Sequence, residues 1–396
     1  MRILQLTSTL PLSPTGSEAP FILHIARSLG ELGHEVHILA PHHPGLQWPA
    51  HEGNVHFHFF KYAPFSRWNI WGYGQSLHSD VHLKWGIYGL LPLAAASAMR
   101  HLHRLQKSSR PFDILHAHWL LPNGPIAAMA RHHKSLPLAI SLHGSDMYAA
   151  RKNRAFRYAA RYALRRASAV VGCSGELTQG ASSCHPSENL YHVLPYGVDE
   201  DIFKPGERAA DNMTILAAGR LVEKKGFEYL LMAMKQMRCQ AKLIIAGNGD
   251  LRERLARAAA ELALNDRIYF AGRLRQPEML ALYRSASIFA LPSIHDSGGN
   301  VDGLPNVLLE AMSSGLAIVA SRIGGVPQVV RDGDNGLMVD EKSPEQLASP
   351  LDSLLTDSFL RNRLASAARR TIVENYTWHH YGRKLESIME GVRQSC

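Results

Sequence analysis

Short apolar runs rich in β-branched residues alternate along the chain with longer amphipathic stretches, the pattern of parallel α/β sheets. In the first half RILQLTS, EVHILAP, VHFHFF, DILHAHW, LAISLHG, AVVGCS and LYHVLPYG predict strands, most of them separated by segments of helical length. In the second half TILAAG, KLIIAG, RIYFAG, SIFALPS, AIVAS and NGLMVD repeat the scheme. Between the halves, GVDEDIFKPGERAADN is polar and rich in turn formers, without a periodic apolar face, and predicts a linker with its boundary near residues 200–212. The expected fold is α/β: two Rossmann-like, doubly wound parallel-sheet domains in tandem, facing across a cleft. In such sheets ligands bind beyond the carboxyl ends of the strands, so function is sought in the loops that follow them.

Composition agrees with two soluble domains. At 396 residues the chain exceeds one ordinary core, and with 46% apolar and 19% charged residues it is neither disordered nor of low complexity. The cysteines Cys173, Cys184, Cys239 and Cys396 lie far apart with no Cys-x-x-Cys, so neither a disulfide framework nor a zinc knuckle is expected, and a reducing cytoplasm fits best. MRILQLTSTLPLSP predicts a first strand and loop, not a signal peptide. The most apolar window, Trp85–Met99, contains a proline and is too short to span a bilayer.

Charge is uneven. Residues 1–205 carry 19 Lys and Arg against 12 Asp and Glu, the remainder 24 against 22, and 19 of the 22 histidines fall in the first half. A phosphate-bearing partner or an anionic membrane surface is therefore expected to meet that half. No nucleic-acid partner is expected.

The segment from Ser293 to Gly315, SIHDSGGNVDGLPNVLLEAMSSG, turns abruptly from a Gly-rich loop to an apolar helix pattern. Proline is favoured in the first helical turn, so the pattern predicts a helix from Pro305 to Gly315. Its free amides at Asn306 and Val307 suit a phosphate. Glu310 follows five residues on, about 7.5 Å along the axis, the reach from a nucleotide's phosphates to a ribose cis-diol. Asp302 precedes the helix, where a sugar on the diphosphate would lie. AAGRLVEKKGFEYLL places Arg220 and Lys225 after a strand, where two cations can offset a diphosphate without a metal. SLHGSDMY ends a strand with His143, able to donate a hydrogen bond into a cleft. Each of these features alone has a plain alternative, a surface acid, a surface charge or a core histidine.

Together, HAHWLLPNG (116–124), LHGSD (142–146), LPYGVDEDIFKP (194–205), GRLVEKKG (219–226), FAGRL (270–274), DGLPNVLLEAM (302–312) and DGDNGLMV (332–339) resemble, in order, the retaining nucleotide-sugar glycosyltransferases of GT-B fold, family 4. The resemblance implies an N-terminal acceptor-side domain over 1–199, a C-terminal nucleotide-sugar domain over 212–375, and a closing helix at 376–396 that crosses back to the first. It implies that Arg220 and Lys225 bind the donor diphosphate and Glu310 the ribose. By the same implication, Asp302, Gly303, Leu304, Asn306 and Val307 hold the donor sugar and phosphate, with Gly219 beside them. Leu274 frames the base and His143 contacts the donor sugar. Asp302 replaces the family's usual glutamate. The N-terminal SPTGSEAPF keeps only Gly16 of the usual Gly-Gly, and Gly16 is placed near phosphate and acceptor.

No acid in the first half's loop motifs is placed as a glycosidase-type nucleophile, so the implied chemistry is front-face transfer. No cofactor and no metal are expected: the histidine pairs 42–43, 132–133 and 379–380 and the alternating His116 and His118 lack a His-Glu-x-x-His spacing. A UDP-sugar is the favoured donor over a GDP-sugar, and a glycan or lipid-linked saccharide the acceptor. The basic aromatic stretch Arg151–Arg166 is expected to touch an anionic membrane, giving a cytoplasmic protein with peripheral contact on the inner face of the cytoplasmic membrane. The rival readings are a sugar-nucleotide epimerase of the same fold and a non-catalytic sugar-nucleotide-binding protein.

Overall fold

A computed structural model describes residues 1–14, 19–63, 65, 68–69, 72–73, 85–107, 110–131, 136–144, 147, 150, 154–206 and 213–394. The chain forms two compact units: Met1–Leu194 with Trp378–Cys396, and Pro195–Thr377.

In the first unit the strands are β1 (Arg2–Leu6), β2 (Glu35–Pro41), β3 (His51–Glu52), β4 (Val55–Phe60), β5 (Ile114–His118), β6 (Leu138–Leu142), β7 (Ala169–Gly172) and β8 (Tyr191–Val193). They form one sheet in the order β3-β4-β2-β1-β5-β6-β7-β8. All neighbours pair parallel except β3, a two-residue antiparallel edge strand that no sequence pattern announces. The central strands β5 and β6 are buried at every position, as a sheet covered on both faces requires. The apolar window at Trp85 belongs to a helix, Trp85–Gln106, with Pro92 inside it. Among the described residues no helix is long and apolar enough to cross a membrane.

The closing helix, Trp378–Gln394, packs on the helix Pro20–Glu31 within this unit. Trp378 stacks on His24 at 5.0 Å, Glu386 meets His34 at 2.8 Å, and at Gly382 any Cβ would lie 3.0 Å from Ser28.

The second unit's strands are β9 (Thr214–Ala218), β10 (Lys242–Ala246), β11 (Ile268–Gly272), β12 (Ile288–Leu291), β13 (Ala317–Ser321) and β14 (Leu337–Val339). Their order, β11-β10-β9-β12-β13-β14, is that of the dinucleotide-binding sheet, reversing direction between β9 and β12. A core of Ile215, Leu230, Leu231, Leu243, Ile245, Ile288, Val319 and Leu351 fixes the helices to it. The crevice at the reversal opens beyond the carboxyl ends of β9 and β12. The loops that follow those two strands hold the Arg220–Lys225 and Ser293–Asn306 segments.

Candidate functional site

In the second unit, β9 ends in Gly219, whose amide bonds the Ala246 carbonyl at 2.9 Å. Gly219 sits at φ +149°, a conformation that L side chains rarely adopt, and a Cβ there would stand 3.0 Å from Lys225 Cε. A single 3₁₀ turn, Glu223–Lys225, then buries both lysine stems. The loop after β12 is tied to this turn: Ile294 N–H donates to the Lys224 carbonyl, and Ser297 donates through its amide and hydroxyl to Glu223. His295 is held in turn by Glu341, through its amide at 2.6 Å and its ring at 2.8 Å.

The two loops meet in a charge cluster. Lys225 Nζ lies 2.6 Å from one oxygen of Asp302 and Lys224 Nζ 3.2 Å from the other. Burial alone would raise the Asp302 carboxyl, but Lys225 and then Lys224 outweigh it and hold it at about 2. Two cations therefore share one carboxylate, leaving a net positive charge at the head of the next helix. That helix runs Asn306–Ser313, not Pro305–Gly315: Pro305, with extended backbone, occupies the position before the first helical residue and Ser314 ends it. The Pro305 carbonyl accepts from Leu308, so the amides of Asn306 and Val307 precede the first helical bonds and carry the positive helix end. The turn after β13 closes against the same place, because a Cβ at Gly325 would fall 2.1 Å from the Gly303 carbonyl. Ser293 Oγ, Asn300 Nδ2 and Asn306 Oδ1 are buried with no hydrogen-bond partner among the described residues.

Glu310 lies one turn along the helix, half-buried. Burial pushes its carboxyl up to about 7, and a hydrogen bond from the Tyr283 hydroxyl, 2.8 Å away, pulls partly back. Arg220 is exposed beside Gly219, and Gly303 and Leu304 are buried under the helix start. Leu274 is half-buried in the loop after β11, two strands from β9. The structure thus joins Lys225 to Asp302 by direct contact, with Gly219 beside Lys225, while Gly303, Leu304, Asn306, Val307 and Glu310 follow Asp302 in the chain and Arg220 follows Gly219. Lys224, Tyr283 and Gly325 were not singled out from sequence. The doubled lysine of EKKG was the one available signal.

In the first unit His143 follows β6. Its Nε2 lies 3.2 Å from His118 Nδ1, and its ring packs on Phe21 and Trp119, each at 4.8 Å. Trp119 takes a left-handed backbone, φ 67°, costly for a bulky residue and typical of functional loops. Burial first, and His116 second, push His143 down to about 3, so it is a neutral hydrogen-bonding group at ordinary pH. Gly16, Asp146 and His132–His133 lie outside the described residues.

Glu35, His37 and His56 bring one possible metal-ligand atom each within 4.8 Å of one another. Arg2 already sits there, with Nε 2.9 Å from Glu35 Oε1, and hydrogen bonds from His37 and then Arg2 lower Glu35 to about 2. A guanidinium thus fills the place of a cation, and the group is an ion-pair network along β1, β2 and β4.

Comparison with known proteins fits this architecture. Residues 198–371 match the family "Glycosyl transferases group 1" and residues 18–197 a "Glycosyl transferase 4-like domain". An uncharacterized glycosyltransferase of Methanocaldococcus jannaschii is 25% identical over 413 aligned positions, covering 98% of this chain and 97% of the relative. A GDP-mannose-dependent alpha-(1-6)-phosphatidylinositol monomannoside mannosyltransferase of Mycolicibacterium smegmatis is 31% identical over 229 residues, 54% of this chain and 60% of the relative. Anabaena HepE, solved with UDP and glucose, superposes with a TM-score of 0.75 at 19% identity, covering 99% of this chain and all of HepE. The two family matches adjoin and take in most of the chain, and the protein is a glycosyltransferase of GT-B fold, in the group 1, family 4 lineage.

Proposed function

We propose that the enzyme moves a sugar, with retention of anomeric configuration, from a nucleoside-diphosphate sugar to a glycan or lipid-linked saccharide in cell-surface polysaccharide or glycolipid synthesis. The observation that carries this reading is the convergence of Lys224 and Lys225 on Asp302 at the open end of the helix Asn306–Ser313. Helix amides and cations at a strand-order reversal form a built anion site, and the net positive charge is of the sign that attracts a diphosphate. The carboxylate of Glu310, one turn deeper, accepts from the ribose hydroxyls. Asp302, already fixed by the lysines, meets the donor sugar. The named activity of the Mycolicibacterium relative and the UDP and glucose bound to HepE support a nucleotide sugar as donor. A UDP-sugar is the favoured donor, with a GDP-sugar the alternative base.

In the proposed front-face step the bond from the anomeric carbon to the diphosphate oxygen breaks while the acceptor hydroxyl bonds to that carbon on the same face. The acceptor's proton passes to the departing phosphate. Arg220, Lys225 and the amides of Asn306 and Val307 stabilise the charge that grows on the diphosphate. No residue is required as a covalent nucleophile, and no metal takes part.

Screening UDP-, GDP- and ADP-sugars for protection against thermal unfolding tests the donor. A donor at 100 times its Kd adds about 2.7 kcal/mol of stability, a shift of several degrees. Protection by none of them removes the reading. Conversion of a protecting donor in the absence of any acceptor favours an epimerase, and protection without any turnover favours a binding protein.

Membrane contact is proposed through the helix Arg154–Leu164. Ala160, Ala163 and Leu164 are buried, while Arg154, Arg157 and Arg161 are exposed beside Tyr158, which is 74% exposed. Co-sedimentation with phosphatidylserine vesicles at low salt, abolished by replacing the three arginines with glutamine, is expected. Equal recovery with neutral vesicles contradicts it.

A further inference from the structure

We propose that Tyr283 is a positioning residue for the nucleotide's ribose, acting through Glu310. This inference rests on the reading of Glu310 as the ribose acid. Tyr283 belongs to the helix Gln276–Ser285, is completely buried, and reaches across to the helix Asn306–Ser313. Its hydroxyl donates to Glu310 Oε2 at 2.8 Å, with the Val307 carbonyl 3.5 Å away. The ring is held by Phe203, edge-on at 5.9 Å, and by Phe289 at 6.1 Å. A rigid aromatic stem thus fixes one oxygen of the acid, which selects the carboxylate's rotation and directs its remaining lone pairs.

The direction of the hydrogen bond is set by burial, which drives the Tyr283 hydroxyl well above its ordinary range, followed by the negative charge of Glu310. Tyr283 therefore stays protonated, and it donates to Glu310 whenever that carboxyl is ionised, because a carboxylate only accepts. Glu310, by contrast, is driven up by its burial, and the tyrosine's donation favours its ionised form. An ionised carboxylate can accept from both hydroxyls of a cis-diol, whereas a protonated one has given up part of its accepting capacity. The other charges near this helix are engaged elsewhere. Asp302 with Lys224 and Lys225 lies before its first turn, and Arg369 from the helix Ser358–Asn375 donates to Phe203 and Ser313 oxygens. Glu200 and Asp201, in the loop before Phe203, act on Arg369.

The test measures affinity for UDP and for 2′-deoxy-UDP, with GDP and 2′-deoxy-GDP as the second pair, in the parent enzyme, Tyr283→Phe, Glu310→Ala and the double variant, from pH 6 to 9. In the parent, removal of the 2′-hydroxyl weakens binding, and affinity rises with pH through a limb near neutrality. Tyr283→Phe is expected to weaken UDP about tenfold, the scale of a hydrogen bond to a charged group, while barely changing 2′-deoxy-UDP. It also moves the pH limb upward, because the contribution that favours ionised Glu310 is gone. In the Glu310→Ala background the same change has almost no effect.

Equal weakening of both nucleotides with an unmoved limb means that Tyr283 merely packs, and overturns the inference. Unaltered UDP affinity in Glu310→Ala removes the ribose assignment itself, a failure distinguishable from the first. Thermal unfolding of each variant separates loss of fold from loss of contact.

Discussion

Lys225→Ala is expected to lower turnover by about a hundredfold or more while leaving the fold nearly intact. The magnitude is that of removing one preorganised group aimed at charge developing in a transition state. Lys225 is placed for that role by construction: glycine at 219 admits its stem, the 3₁₀ turn aims it, and Asp302 holds Nζ at 2.6 Å. The fold survives because Lys224 still meets Asp302, at 3.2 Å, so the buried carboxylate keeps a counter-charge. Steady-state kcat and a thermal melt, made on the same preparation, check the two halves of the claim. A structural lysine, whose sole task is to neutralise Asp302, gives the opposite pattern: a lowered melting temperature with turnover per folded molecule unchanged. In that case Asp302→Asn combined with Lys225→Ala would recover part of the lost stability.

The second large effect is acid lability confined to the first unit. His116 is completely buried, with Nε2 2.8 Å from Ser141 Oγ and Nδ1 3.5 Å from the Gln5 amide, and burial pushes it down to about 3. His118 is buried beside it and driven well below the ordinary range by burial, then by His116 and His143. Both are neutral in the folded state. Because the folded values lie below the unfolded one, near 6.5, the unfolded chain takes up protons first. Stability is therefore whole above about pH 6.5 and lost as pH falls toward 3. At pH 4.5 His116 alone costs roughly 2–3 kcal/mol.

The second unit has the reverse slope over the same range. Glu310 is raised to about 7, so its penalty is relieved as pH drops, and Asp302, held at about 2, loses its contribution only below about pH 4. Hydrogen exchange followed by peptide mass analysis at pH 7 and 4.5 checks this. Protection should collapse in peptides from β1, β5 and β6 and persist in β9, β12 and β13. His116→Gln should blunt the loss. Uniform loss of protection in both units contradicts the argument.

Much of this architecture is legible in residue pattern alone, because parallel strands buried on both faces leave nearly continuous apolar runs such as AIVAS and KLIIA, and glycine or proline marks their ends. The loops after β9 and β12 were legible for the same reason: GRLVEKKG and DGLPNV interrupt apolar runs with charge. The edge strand β3 was not, since two residues, His51 and Glu52, carry no period. Nor was the start of the helix at Asn306 rather than Pro305, because proline at the preceding position has the same composition and differs only in ψ, here 122°. Tyr283 and Glu310 are separated by 27 residues, and no local spacing announces that a tyrosine on one helix will meet an acid on another. Lys225 looked like a free cation for phosphate. Its engagement by Asp302 appears only when the two loops are folded together, and it means that one carboxylate already offsets part of the site's positive charge.

That last point gives the central claim its sharpest test. Titration calorimetry with UDP and with GDP, in excess EDTA and at two salt concentrations, measures whether cationic side chains and helix amides suffice to hold a diphosphate. Micromolar binding of at least one of the two without divalent metal, weakened by salt and lost in Lys225→Ala, is expected. Binding that needs added magnesium and is indifferent to Lys225→Ala would contradict it.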